Sequence, residues 1–241
     1  MSRFFTITYY IFFISTGTFF VSISAIIWLF TFWWDKKLRA VHIFTQLWSN
    51  ILIYIVPTWK LNVIGKENIN KNKTYVIVSN HQSEFDIPVA SFLKIHFKWV
   101  SKAEVFKVPI IGWNMTLNNY IKLVRGNKRS IIHMIKDCGD SIRLGNSIYI
   151  FPEGTRSKTG VMRRFMSGAF VIAQREKIGI LPVVINGTKN IMEKGSLSLN
   201  FKADISLKIL KEIPYEEIKD KSAELVAENV RNLIEEHLDN N

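Results

Sequence analysis

A run of 31 residues without a formal charge, residues 4–34, constrains this chain more than any other feature. Most of its positions are Phe, Ile, Tyr, Trp, Val or Thr, and a helix needs only about 20 apolar residues to cross a hydrocarbon core. A cleaved secretion signal has an apolar stretch of roughly 7–15 residues and a small-residue cleavage site. This run is too long for that, and it closes on Trp33-Trp34 followed by Asp35-Lys36-Lys37-Leu38-Arg39. Paired tryptophans and then basic residues read as an interfacial anchor. The expectation is an uncleaved, membrane-embedded N-terminal helical segment. The positive-inside bias then holds the rest of the chain on the cytoplasmic face of the cytoplasmic membrane. A second charge-free run, residues 40–59, contains Gln46, Ser49, Asn50 and Pro57 and is the weaker candidate for a span. It can cross, or lie in one leaflet with its polar atoms at headgroup level.

Residues 1–59 therefore read as membrane-associated helices and residues 60–241 as one catalytic domain, large enough to hold a core without staples. The chain has one cysteine, Cys138, so no intrachain disulfide can form. Its 32 Lys and Arg against 20 Asp and Glu give a net charge of +12. That balance favours nucleic acid, acidic lipid or phosphorylated metabolites as partners. Nucleic-acid binding has no motif behind it and is not expected. Residues 94–137 hold nine Lys or Arg and only two acids, Glu104 and Asp137. Beside a membrane anchor, such a stretch suits anionic headgroups at about 1 kcal/mol per basic residue.

From residue 60 the pattern becomes α/β. Short β-rich runs occupy residues 61–64, 74–79, 98–101, 120–124, 147–151, 180–185 and 205–209. Helical spacing fills 87–93, 129–144 and 167–177, and residues 215–238 predict an amphipathic closing helix. Strands alternating with helices imply a mostly parallel central sheet flanked by helices.

Two constellations carry chemistry. The first is Asn80-His81-Gln82-Ser83-Glu84-Phe85-Asp86, directly after the second predicted strand. In open α/β sheets, ligands bind outside the carboxyl ends of strands. His81 is the candidate base, and Asp86 can fix its tautomer by accepting from one ring nitrogen. Five residues of continuous helix would turn Asp86 about 140° away from His81. The chain must therefore bend between them, which Pro88 permits by starting a helix nearby. The bland alternative makes Asp86 only the N-cap of the helix at Ile87. His42, His96, His133 and His237 have no comparable sequence neighbours and read as ordinary residues. The second constellation, Phe151-Pro152-Glu153-Gly154-Thr155-Arg156-Ser157, follows the fifth predicted strand. Gly154 lets a ligand approach the backbone, Thr155 and Arg156 can donate to a phosphate, and Glu153 can accept from a hydroxyl or orient Arg156.

Together these two blocks resemble the glycerolipid acyltransferase family, and most closely its bacterial 1-acyl-sn-glycerol-3-phosphate (lysophosphatidic acid) acyltransferases. Asn80-His81 and Asp86 match that family's His-x4-Asp signature, and residues 151–157 match its phosphate-side signature residue for residue. Ser101-Lys102-Ala103-Glu104 leading to Ile121-Lys122-Leu123-Val124-Arg125 looks like the family's second block, and Ile180-Leu181-Pro182-Val183-Val184 like its fourth. The likeness covers roughly residues 60–190. It implies direct acyl transfer from acyl-CoA or acyl-carrier protein to lysophosphatidic acid, with membrane lipids as the medium, His81 and Asp86 catalytic, and no metal or other cofactor. It also implies that Lys102, Arg125, Glu153, Gly154, Thr155 and Arg156 bind the acceptor. Two departures bear on acceptor choice. Val124 stands where many relatives have Asp, and Phe165-Met166-Ser167-Gly168 replaces a basic pair after phenylalanine, for which Arg163 and Arg164 can compensate. Open alternatives are another lysolipid or aminolipid acceptor, a transacylase needing no thioester, and a non-catalytic protein that binds anionic lipid.

Overall fold

Each predicted strand forms, because runs of β-branched and aromatic residues this short can hide their side chains only by pairing side by side under helices. The computed structural model describes residues 2–156, 161–192 and 195–238. Seven strands, β1 (Trp59–Ile64), β2 (Val76–Ser79), β3 (Phe97–Lys102), β4 (Ile121–Leu123), β5 (Ser147–Ile150), β6 (Ile180–Asn186) and β7 (Ala203–Ile209), make one sheet in the order β1-β7-β6-β2-β5-β3-β4. All neighbours are parallel except β6 and β7. The expected α/β class and mostly parallel sheet are observed.

Alternation along each strand divides the core between the two faces. Ile77 of β2, Tyr149 of β5 and Leu181 of β6 point to one face. Val76, Ile148 and Ile180 point to the other, with α5 (Lys128–Arg143), α6 (Gly168–Arg175) and α8 (Ala223–Glu235). The first face is covered by α1 (Ser2–Thr31), α2 (Arg39–Tyr54), α3 (Asp86–Ala90) and α4 (Ile111–Leu117). Cys138 of α5 is fully buried on the second face, and burial pushes its thiol well above the usual range.

Two expectations about helices change. The second charge-free run is helical only over α2, and Trp59 already belongs to β1. The polar residues of α2 are spent on the domain beneath it: Gln46 Nε2 donates to the Ile95 carbonyl at 2.9 Å, and Thr45 Oγ1 to Asn114 Oδ1 at 2.9 Å. A polar face so used makes α2 part of the domain's own packing. The closing helix also divides, into α7 (Tyr215–Ile218) and α8. Ser222 starts α8 by accepting from Leu225 N at 3.2 Å, an N-cap that interrupts the run.

α1 lies against the body over much of its length. Thr6 Oγ1 accepts from Leu199 N, Tyr9 donates to the Leu52 carbonyl, and Ser24 is buried. Gly17 is required where α1 crosses, since a Cβ there would sit 2.7 Å from Ile110 and 2.9 Å from Trp48. The opposite side of α1 exposes Phe4, Ile7, Ile11, Phe19 and Phe30. By length and composition α1 alone among the described helices suffices to cross a membrane.

At the α2–β3 junction two of the histidines read as ordinary, His42 and His96, lie together where their surroundings oppose protonation. His42 and His96 stack edge-to-face at 4.7 Å, and His42 shares a 3.0 Å hydrogen bond with Tyr120. Lys98, also buried, donates to the Asn118 carbonyl at 2.7 Å. Burial, and then the charge of Lys98, lowers His96 to about 4; burial, and then His96 and Lys98, lowers His42 as well. Burial lowers Lys98 to about 8, opposed by Asp35. The unfolded histidines titrate near ~6.5 and take up protons that the folded chain refuses. The melting temperature is therefore expected to be highest above pH ~6.5 and to fall as pH drops from there toward about 4. Lys98 adds relief only above pH about 8. Thermal melts of His42→Phe/His96→Phe across this range check the assignment, since an acid slope as steep as in the parent would contradict it.

Candidate active site

The site lies at the carboxyl ends of β2 and β5, which are adjacent in the sheet in the register Val78↔Ile150. That pairing brings His81, three residues beyond Val78, beside Phe151 and Glu153, some 70 residues later in the chain. After Ser79 the backbone leaves the sheet, and it re-enters helix only at Asp86. The bend is held by Asn80, whose side chain pairs with β6 like one more strand residue: its Nδ2 donates to the Ile185 carbonyl at 2.7 Å and its Oδ1 accepts from Ile185 N at 2.9 Å.

The bend turns His81 and Asp86 toward each other, with Nδ1 and Oδ2 at 2.8 Å. Asp86 is fully buried, and its remaining hydrogen-bonding capacity is met from nearby. Gln82 N at 2.6 Å and Ser83 N at 2.9 Å also donate to Oδ2, and Thr188 Oγ1 donates to Oδ1. Asp86 thus caps the turn before it rather than the helix after it. Four donors on one carboxyl are the pattern of an acceptor-only, ionised group. With Nδ1–H given to Asp86, Nε2 of His81 is left with its lone pair, the arrangement a general base needs. The ring is stacked on Phe151 at 4.0 Å between centroids and 13° between planes.

His81 lines a cavity of about 660 Å³. Phe151, Trp99 and Phe97 form a continuous aromatic wall from His81 inward, with centroids 5.3 and 5.2 Å apart. The inner part is closed by residues of α1, α2 and α4 such as Phe13, Trp48 and Met115. Its mouth carries the charges: Lys102, Arg125, Arg156 and Glu84 all line it, as do Gly154 and Thr155. Gly154 has φ +69°, a left-handed conformation that admits glycine without strain. Lys102 is paired to Glu104 at 3.4 Å, and Arg156 to Glu84. Thus of the residues expected to hold an acceptor, five line this one cavity.

Glu153 is the exception and is not among the residues lining the cavity. Its Oε1 accepts from His81 N at 2.8 Å and its Oε2 from Arg163 N at 2.9 Å, so both oxygens are spent on backbone. Burial raises its pKa, while these two N–H groups oppose the rise. Glu153 braces the histidine turn. Arg163 and Arg164 are not among the residues lining the cavity, and the Arg163 backbone N–H reaches the site through Glu153. Ser157 lies outside the described residues. Thr188 and the clamping role of Asn80 escaped the sequence reading. Nothing near Thr188 in the chain hints at a partner 102 residues away.

Comparison with known proteins shows the family and the fold. A family described as Acyltransferase matches residues 60–186. A chloroplastic 1-acyl-sn-glycerol-3-phosphate acyltransferase of Arabidopsis thaliana is 38% identical over 183 residues, covering 75% of this chain and 51% of that protein. The 1-acyl-sn-glycerol-3-phosphate acyltransferase of Saccharomyces cerevisiae is 33% identical over 136 residues, 55% of this chain and 45% of that one. The chain thus spans about half the length of the curated relatives it matches. The crystal structure of the 1-acyl-sn-glycerophosphate acyltransferase of Thermotoga maritima superposes with a TM-score of 0.79 at 22% identity, covering 98% of this chain and 96% of that one, so the fold is shared. With its histidine–aspartate turn and its arginine-bearing loop inside a match that takes in more than half of its residues, the chain belongs to the acyltransferase family.

Proposed function

We propose that this protein transfers a fatty acyl group from acyl-CoA or acyl-carrier protein to the free hydroxyl of 1-acyl-sn-glycerol 3-phosphate, forming phosphatidic acid. The observation that carries the reading is the 2.8 Å His81–Asp86 pair on the wall of a cavity whose mouth holds Arg156, Arg125 and Lys102. Nε2 of His81 takes the hydroxyl proton as that oxygen attacks the thioester carbonyl. The C–O bond forms, the C–S bond breaks, and the departing thiolate recovers the proton. The basic mouth suits a phosphate, and the aromatic interior suits an acyl chain. The sequences named as 1-acyl-sn-glycerol-3-phosphate acyltransferases support this acceptor. The reaction as written consumes no metal or other cofactor.

Lipid substrates explain the N-terminal helices. From Thr6 to Ser24 α1 is seated on the domain, a length of about 27 Å. A bilayer's hydrocarbon core is only about 30 Å thick. Were α1 to span, the body attached along it would be drawn into the lipid. We therefore read α1 as lying in one leaflet, with the basic surface on the cytoplasmic side. Because the chain's one cysteine is buried, introduced thiols report cleanly. In sealed vesicles, Arg3→Cys and Lys36→Cys are expected to react with an impermeant maleimide from the same side; reaction from opposite sides would show a span.

The activity itself is tested by giving the purified protein lysophosphatidic acid and acyl-CoA and measuring phosphatidic acid. His81→Ala should lower kcat by roughly 10²–10⁴-fold, and Asp86→Asn should be similarly severe, with folding and membrane recovery retained. Near-full activity in either variant refutes the dyad.

The brace predicts a different signature. Glu153→Ala leaves two part-buried N–H groups without their acceptor, at up to about 1–3 kcal/mol each. The melting temperature and kcat should drop while the acceptor KM moves little, with Glu153→Gln intermediate because it keeps one acceptor oxygen. A raised KM at constant kcat would instead place Glu153 on the substrate.

A further inference from the structure

Glu84 has no part in the proposed transfer, yet it stands at the cavity mouth with its carboxylate on Arg156. We propose that Glu84 is an internal anion latch: its carboxylate occupies the guanidinium that the acceptor's phosphate must reach, so the acceptor binds by displacing it. The inference rests on reading this mouth as the phosphate site.

Three observations carry it. The contact to Glu84 is made by a single guanidinium nitrogen, Nη1, and the Glu84 side chain is 50% exposed against 20% for Arg156. A half-solvated carboxylate held at one point is a weak partner. A phosphate with several charge-assisted acceptors on the same fork is a stronger one. Secondly, Glu84 belongs to the turn whose Gln82 and Ser83 N–H groups are fixed on Asp86. The backbone under Glu84 is thus tied down, and the latch opens by rotation of an exposed side chain, a fast event that leaves the dyad undisturbed. Thirdly, Lys102 is paired with Glu104, two residues away, at 3.4 Å, whereas Glu84 reaches across 72 residues of sequence to Arg156. Its place is therefore a consequence of the fold and not of local charge pairing. A latch of this kind weakens acceptor binding without touching chemistry, and it acts on any anion that seeks Arg156.

The test is binding of soluble sn-glycerol 3-phosphate to the full chain in detergent, followed by phosphorus NMR titration, for the parent, Glu84→Gln, Glu84→Ala, Arg156→Ala and the Glu84→Gln/Arg156→Ala double variant. Removing the carboxylate is expected to lower Kd by about tenfold, and the gain is expected to vanish when Arg156 is absent. In turnover, the acceptor KM should fall by a similar factor, with kcat and the donor KM moving less than about twofold. Equal or weaker binding in both Glu84 variants, or a gain that persists without Arg156, overturns the latch. Because the titration needs no acyl transfer, an inability of the parent to make phosphatidic acid would sink the proposed function and still leave the latch to be decided by Kd.

Discussion

The site depends on one buried carboxylate. Asp86 has no exposed surface, and an ionised carboxylate without partners in such a place would be prohibitively costly. Its four donors therefore act as construction constraints as much as as stabilising contacts. Two come from its own turn, which fixes the bend after β2; one from the His81 ring, which fixes the tautomer; one from Thr188, in the short helical turn that follows β6. Satisfying Asp86 assembles the dyad. Its removal would leave buried N–H groups as well as a freely rotating imidazole.

The same logic extends outward through the sheet. The His81 turn is braced from β6 by Asn80 and from the loop after β5 by Glu153, so the two strands flanking β2 each supply one brace. This explains why the two motifs sit about 70 residues apart and yet act together: strand adjacency, not chain proximity, sets their spacing. It also gives Glu153 a reason to be an acid. A neutral amide would offer one acceptor where two backbone N–H groups require two.

Much of this was legible in the sequence, for identifiable reasons. Seven strands could be read because strands buried on both faces are nearly continuous apolar runs, and β2, β5 and β6 are buried at every position. The bend at His81 could be read because a helix would separate the pair. Less was legible where tertiary contacts decide. The polar residues of α2 look like a flaw in a membrane helix until Ile95 and Asn114 are seen opposite them. Residues 215–238 have continuous helical periodicity, and periodicity does not register a serine that caps a second start. Glu153 looked like a ligand contact because a carboxylate beside Gly-Thr-Arg has the right chemistry; only the placement of His81 N and Arg163 N reveals that its oxygens are already used.

His42 and His81 show why residue type alone misleads. Both are histidines at the edge of the same cavity. His42 is enclosed by His96, Lys98 and Tyr120, so its surroundings oppose protonation and offer no carboxylate to orient it. His81 is partly open, stacked on Phe151 and held by Asp86. An imidazole that must accept a proton and give it back needs an anion behind it and an open side in front; a core imidazole needs neither. The pairing of His81 with Asp86 lies where the aromatic wall of the cavity meets the basic mouth. On the proposed function, an acceptor held there by its phosphate would present its hydroxyl at the boundary between the two halves of the site, beside a thioester whose acyl chain ran along Phe151, Trp99 and Phe97.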